Sequence, residues 1–261
     1  MFKTLPRPLI VDSRSDGHVH TKWCRHATGE MEDYVQEGLQ RGLREIIFLE
    51  HMEEGIITSR TTWLSEDEFD LYFAEGKRLQ EKYRGQIAVK IGVEVGYNPA
   101  CTEKILHRLS TRAWDKIGLS YHFLPVKNEP HINLLSSRPE HSLRVRQRSP
   151  HKIAEQYLDG LIKAVEIFPV HAVCHLDAAL RHIPEISFAK HHLAKVRQLL
   201  AIIQRKGIAL EINTSGFDYR NECFPAHSII AIAQEMGVLF VAGSDAHSPK
   251  DVGRYFDRFP T

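Results

Sequence analysis

Short apolar runs rich in β-branched residues recur along this chain, with stretches of helical period between them. The runs are REIIFLE (Arg44–Glu50), QIAVKIGVEV (Gln86–Val95), WDKIGLSY (Trp114–Tyr121), HAVCH (His171–His175), GIALEIN (Gly207–Asn213) and GVLFVAG (Gly237–Gly243). Each reads as a buried strand, and a further strand is expected just before His18. Met31–Arg41 places Met31, Tyr34, Val35 and Leu39 on one side of a helix. Ser65-Glu66-Asp67-Glu68 is a capping-box start for a helix through about Tyr83. His151–Phe168, Ala189–Lys206 and His227–Met236 predict three more helices. Gly42, Gly207 and Gly237 stand at or just after helix ends, where a left-handed cap is wanted. Strand–helix alternation over the whole length predicts an α/β fold with a parallel sheet under helices. About seven strands without an obvious break predict one barrel-like domain over residues 1–261. Leu124–Pro150 departs from the rhythm, with four prolines and the basic run RPEHSLRVRQRSPHK. It is expected to be a long loop or insertion.

Composition adds little until histidine is counted. The chain has 261 residues, 43% apolar and 26% charged, which suits a folded domain with a sizeable core. A net charge of +1 and no clear basic–aromatic groove argue against a dedicated nucleic-acid partner. No apolar run approaches the ~18 residues of a membrane span, and the first residues lack the apolar core of a signal peptide. Cys24, Cys101, Cys174 and Cys223 form no CxxC pair and read as thiols of a reducing compartment. The expectation is a cytoplasmic protein with no membrane partner. Histidine is the outlier, at 16 residues.

The unusual residues track the strand ends. His18 and His20 follow the first strand, His51 follows REIIFLE, Glu94 ends QIAVKIGVEV, and His122 follows KIGLSY. His175 ends HAVCH, and Asp245 and His247 follow VLFVAGS. In a parallel barrel those ends converge on one mouth, where such folds carry their chemistry. Alternate residues of an extended chain point the same way, so His18-x-His20 and Asp245-x-His247 are each paired donors. His26 is undecided by spacing. His107, His131, His141, His171, His182, His191, His192 and His227 read as surface or structural, and Cys24 and Cys174 as structural thiols. Many imidazoles with two carboxylates suit zinc, iron or manganese. The donors outnumber the roughly three protein ligands of one catalytic zinc. A bridging carboxylate such as Glu94 would let several ions share the mouth, as in enzymes that hydrolyse phosphate esters.

The chain resembles the polymerase-and-histidinol-phosphatase (PHP) family, most closely its histidinol-phosphatase branch. DGHVHTKWCRHATGEMEDYVQEGL, IIFLEHM, IGVEVGY, IGLSYHFL, CHLDAALR, LEINTSGF and GSDAHSPKDVG follow the family's order over about residues 12–255. The resemblance implies a distorted (β/α)7 TIM-like barrel holding up to three divalent ions. Carried over by motif, one ion takes His18, His20, Glu94 and Asp245. A second takes Glu94, His122 and His175, and a third takes His26, His51 and His247. The implied activity is hydrolysis of L-histidinol phosphate, a step of histidine biosynthesis, by ion-activated water attacking phosphorus. Another small phosphate ester (nucleotide, sugar phosphate, phosphoserine) is the alternative, and a non-catalytic metal-binding module a more distant one. Asp16 would orient a first-motif histidine, and Asp177 would act similarly or donate a proton. Arg144, Arg148, Arg181, Arg220 and Asn213 are the candidate substrate contacts. The chain departs from the branch at Cys174, commonly Gly, at Gly96, commonly Asp, and in the DYRNECFP segment after NTSGF.

Overall fold

Strand and helix alternate as the hydrophobic pattern predicts. The computed structural model describes residues 10–259. Its first half runs β1 (Ser15–Val19), α1 (Met31–Gln40), β2 (Glu45–Met52), α2 (Glu66–Lys82), β3 (Ala88–Gly96), α3 (Thr102–Ser110) and β4 (Lys116–Ser120). A hairpin of β5 (Phe123–Val126) and β6 (Glu129–Asn133) follows, then α4 (Pro139–Gln147), α5 (Pro150–Ile167) and β7 (Ala172–Val173). The last part holds α6 (Phe188–His191), α7 (Leu193–Lys206), β8 (Ala209–Asn213), α8 (Phe217–Arg220), α9 (His227–Glu235) and β9 (Phe240–Gly243).

Seven strands form one parallel sheet in the order β1-β2-β3-β4-β7-β8-β9. The sheet curls until its edges meet at the C-terminal end. There Val19 bridges Ala246 in parallel, His20 N donates to Ala246 O at 2.9 Å, and Asp245 N donates to His18 O at 2.9 Å. The ring is thus tied at its mouth, by the residues that flank His18, His20 and Asp245. Helices cover the outside, with Tyr34, Phe69, Tyr72 and Leu79 fully buried against the strands. The Ser65 cap forms as its sequence predicts: Ser65 Oγ accepts from Glu68 N, and Glu68 Oε2 accepts from Ser65 N at 2.8 Å. Gly42, Gly207 and Gly237 adopt φ of 72°, 68° and 73° at helix ends. Among the described residues, no helix is long and apolar enough to cross a membrane.

Three expectations need correction, and one helix has no counterpart in the predicted pattern. Leu124–Pro150 is not a bare loop but the β5–β6 hairpin and α4. Pro125 and Pro130 look like strand breakers, yet both fall at positions outside the pairing register of this two-stranded ribbon, so no ladder hydrogen bond is lost. Ala189–Lys206 is two helices broken at His192, whose φ of −128° is not helical. The α3 helix, with Ile105 and Leu109 on its buried side, went unassigned. His18 and His51 lie within β1 and β2 rather than after them, because pairing with the neighbouring strand continues through Val19 and Met52.

Candidate metal centre

Parallel register builds the mouth. His51 of β2 stands beside Glu94 of β3, and Glu94 beside Gly118 of β4. Glu94 is 1% exposed and lies at the centre of the imidazoles. Its Oε1 faces His175 Nε2 at 2.9 Å and His122 Nε2 at 3.1 Å, and accepts the Ser120 hydroxyl. Its Oε2 faces His51 Nδ1 at 2.8 Å, His20 Nε2 at 3.4 Å and His18 Nε2 at 3.5 Å. Asp245 Oδ1 lies 3.5 Å from His20 Nε2 and 3.6 Å from His247 Nδ1. His26, exposed at the rim, has Nε2 2.9 Å from His247 Nε2. All nine residues expected to bind metal are therefore gathered in one place, His26 included.

The donor set fits divalent cations. Glu94 Oε2 and His51 Nδ1 are both buried without a hydrogen-bond partner, although only 2.8 Å apart. Two such atoms left unbonded cost free energy, and lone pairs converging beside one another suit a cation. Burial, reinforced by His51 and His247, pushes His20 well below the usual imidazole value, so it stays neutral as a ligand must. Burial opposes ionisation of Glu94, but His122, His18 and His51 hold it well below the carboxylate range. Glu94, with Glu53, raises His122 to about 10 despite burial, so a cation binding there would displace its proton. His175 and Asp245 adopt φ of 26° and 52°. Such strain in non-glycine residues concentrates at functional sites. Here it is held by Glu211, which accepts from His175 N at 2.8 Å, and by the Asp245 N to His18 O bond.

An outer set of carboxylates orients the rings, and sequence reasoning missed it. Glu211 Oε1 contacts His18 Nδ1 at 2.7 Å and Glu53 Oε1 contacts His122 Nδ1 at 2.8 Å. Each contact turns the opposite nitrogen toward Glu94. Glu50 accepts from Thr21 N and Oγ1 at 2.7 and 2.6 Å, fixing the chain just after His20, and burial raises its carboxyl to about 8. A lone carboxylate inside an apolar strand run, as in GIALEIN and REIIFLE, was the available signal. Glu211→Gln would turn an amide N–H toward His18 or toward the His175 N–H. Metal affinity should fall about 10- to 100-fold in a chelator-competition titration, and unchanged affinity would reduce Glu211 to a packing role.

Several predicted contacts lie elsewhere. Asp16 touches no imidazole; its buried carboxylate accepts from Ser244 N (2.9 Å), Ser244 Oγ (2.5 Å), Gly253 N (2.7 Å) and His18 N (3.3 Å). It fastens backbone rather than orienting a ring. Asp177 is held by both terminal nitrogens of Arg220, at 2.9 and 2.8 Å, and by Ala226 N, and neither residue lines the cleft over the histidines. Arg144 and Arg148 donate to Glu129 and tie α4 to the hairpin. Asn213 is buried and caps the following turn through Ser215 N. Of these candidates only Arg181 lines the cleft of about 530 Å³ that opens over the histidines. Arg60, Arg138 and Arg254 join it there, from segments whose approach to the mouth no local pattern announces.

A curled parallel barrel with nine clustered donors at its C-terminal mouth defines a metal-centred barrel protein. Residues 16–215 match the PHP domain and residues 228–261 the PHP-associated region, and the chain belongs to the PHP domain family. It is 30% identical over 247 residues to a Deinococcus radiodurans protein named "Probable histidinol-phosphatase", covering 92% of this chain and 89% of that one. It is 26% identical to the Bacillus subtilis protein named "Histidinol-phosphatase", covering 94% and 98%. In fold it is similar to a Lactococcus lactis histidinol phosphate phosphatase solved with zinc, L-histidinol and phosphate (TM-score 0.72, 21% identity, 92% and 88% covered). It is likewise similar to a Listeria monocytogenes chain assigned as a histidinol phosphatase (TM-score 0.83, 23% identity, 94% and 100% covered).

Proposed function

We propose that this chain is a metal-dependent phosphomonoesterase that hydrolyses L-histidinol phosphate to histidinol and inorganic phosphate. The observation that carries the reading is Glu94, whose two oxygens face different sets of imidazoles under one cleft. That is the geometry of a carboxylate shared between ions. The first ion falls to His18, His20, Glu94 and Asp245, and the second to Glu94, His122 and His175. The third falls to His26, His51 and His247, with His51 also beside Glu94. Zinc, manganese and iron all suit these donors. When bound, such ions supply charge neutralisation at a phosphoryl group and ionisation of water near neutral pH.

The chain's own residues do the rest. Glu211 and Glu53 hold His18 and His122 in one ring orientation. The strained His175 and Asp245 peptides fix the mouth, so little reorganisation is needed when charge develops. Arg181 stacks on Tyr219, 4.2 Å from its ring centre, and has no carboxylate within 4 Å among the described residues. Its guanidinium N–H groups, at the lining of the cleft, are the proposed phosphate contact. The names of the Deinococcus and Bacillus relatives support histidinol phosphate as the ester.

The test is kcat/KM of zinc- or manganese-loaded protein across histidinol phosphate, phosphoserine, nucleotides and sugar phosphates. Histidinol phosphate should lead by about 100-fold, the discrimination a few specific contacts provide, and a chelator should abolish turnover. A competitor of equal rank would remove the substrate assignment. No phosphate release from well-metallated protein would remove the phosphatase reading.

A further inference from the structure

The nine residues above offer only nitrogen and oxygen donors, and a sulfur lies beside them. Cys174 lies one residue before His175 and is 1% exposed. Its sulfur, a nitrogen of His18 and an oxygen of Glu94 all lie within 4.8 Å of one another, and all three residues are buried. Space for the thiol is made on the neighbouring strand: a Cβ on Gly118 would stand 2.6 Å from Cys174 Sγ, so β4 carries no side chain where the sulfur enters the barrel. Glu94 in this group carries the orphaned Oε2, buried without a hydrogen-bond partner and 3.5 Å from His18 Nε2. Cys24 is the other thiol in such a group, with His26 and His247 at the rim, whereas Cys223 is equally buried but belongs to none.

We infer that Cys174 is a sulfur ligand of the ion held by His18 and Glu94, giving this centre a soft donor that favours zinc over manganese. The inference rests on the reading of the mouth as a metal centre. On coordination the S–H bond breaks, its proton leaves to solvent and a metal–sulfur bond forms, with no change of oxidation state. Manganese prefers carboxylate, carbonyl and water, whereas zinc accepts thiolate readily.

Cobalt substitution reads the bond directly. Cobalt-loaded wild-type protein should show a near-ultraviolet sulfur-to-cobalt charge-transfer band, lost in Cys174→Ala and kept in Cys223→Ala. In apo-protein equilibrated with equimolar zinc and manganese, Cys174→Ser should lower the bound zinc-to-manganese ratio by about tenfold. Serine keeps nearly the same volume, so it serves as the second variant if alanine leaves an unstable core. A wild type that binds cobalt without the band, or a band of undiminished intensity in Cys174→Ala, overturns the assignment. An unchanged ratio in folded Cys174→Ser overturns it as well. A wild type that binds no metal at all overturns the metal centre itself, which separates the two failures.

Discussion

Glu94→Gln should lower kcat/KM by at least about 10³-fold, the scale on which removal of one preorganised electrostatic group acts, and should strip metal from the protein. Glutamine has the same shape, so packing is not at issue. Its amide removes the negative charge and points an N–H at one side of the cluster. That side holds either His122 and His175, or His18, His20 and His51. Neither set can accept that hydrogen and still offer its lone pair to a cation. Glu94 is 1% exposed, so no water can take the place of the lost charge. The measurement pairs metal content by mass spectrometry with kcat/KM on histidinol phosphate. Full metal content with activity within about tenfold of wild type would remove Glu94 from the bridging position.

Asp16→Ala should destabilise the fold by about 3–5 kcal/mol, the cost of breaking a buried charged network. Asp16 is fully buried and receives donors from Ser244 twice, Gly253 and His18. Burial raises its carboxyl pKa and those donors oppose the rise. Alanine orphans the donors inside the protein, each at a cost of ~1–3 kcal/mol before relaxation. The damage falls where β1 meets the segment after β9, the contact that ties the barrel mouth. Denaturant unfolding of metal-free protein checks it, with a shifted midpoint and little change in slope. An unchanged midpoint with lost kcat would return Asp16 to a direct part in the chemistry.

Sequence alone determined the strand–helix alternation, because burial on both faces of a parallel sheet leaves continuous apolar runs that are local. It also determined the donors at strand ends, His18, His20, His51, Glu94, His122, His175, Asp245 and His247, because each stands at a fixed offset from its own run. His26 came from the motif rather than from spacing, since it sits on a loop whose path only the fold decides. Glu211 stands out in sequence only as a carboxylate within an apolar run, and Glu53 not at all: their partners are 193 and 69 residues away, and strand order alone brings them together. The same reason separates the arginines. Arg144 and Arg148 form a basic run in sequence, but the hairpin returns Glu129 to pair with both. Arg181, Arg60, Arg138 and Arg254 meet at the cleft from four distant segments. Local pattern fixes which side chains reach the mouth. Which of them remain unpaired there depends on charges that only tertiary folding delivers.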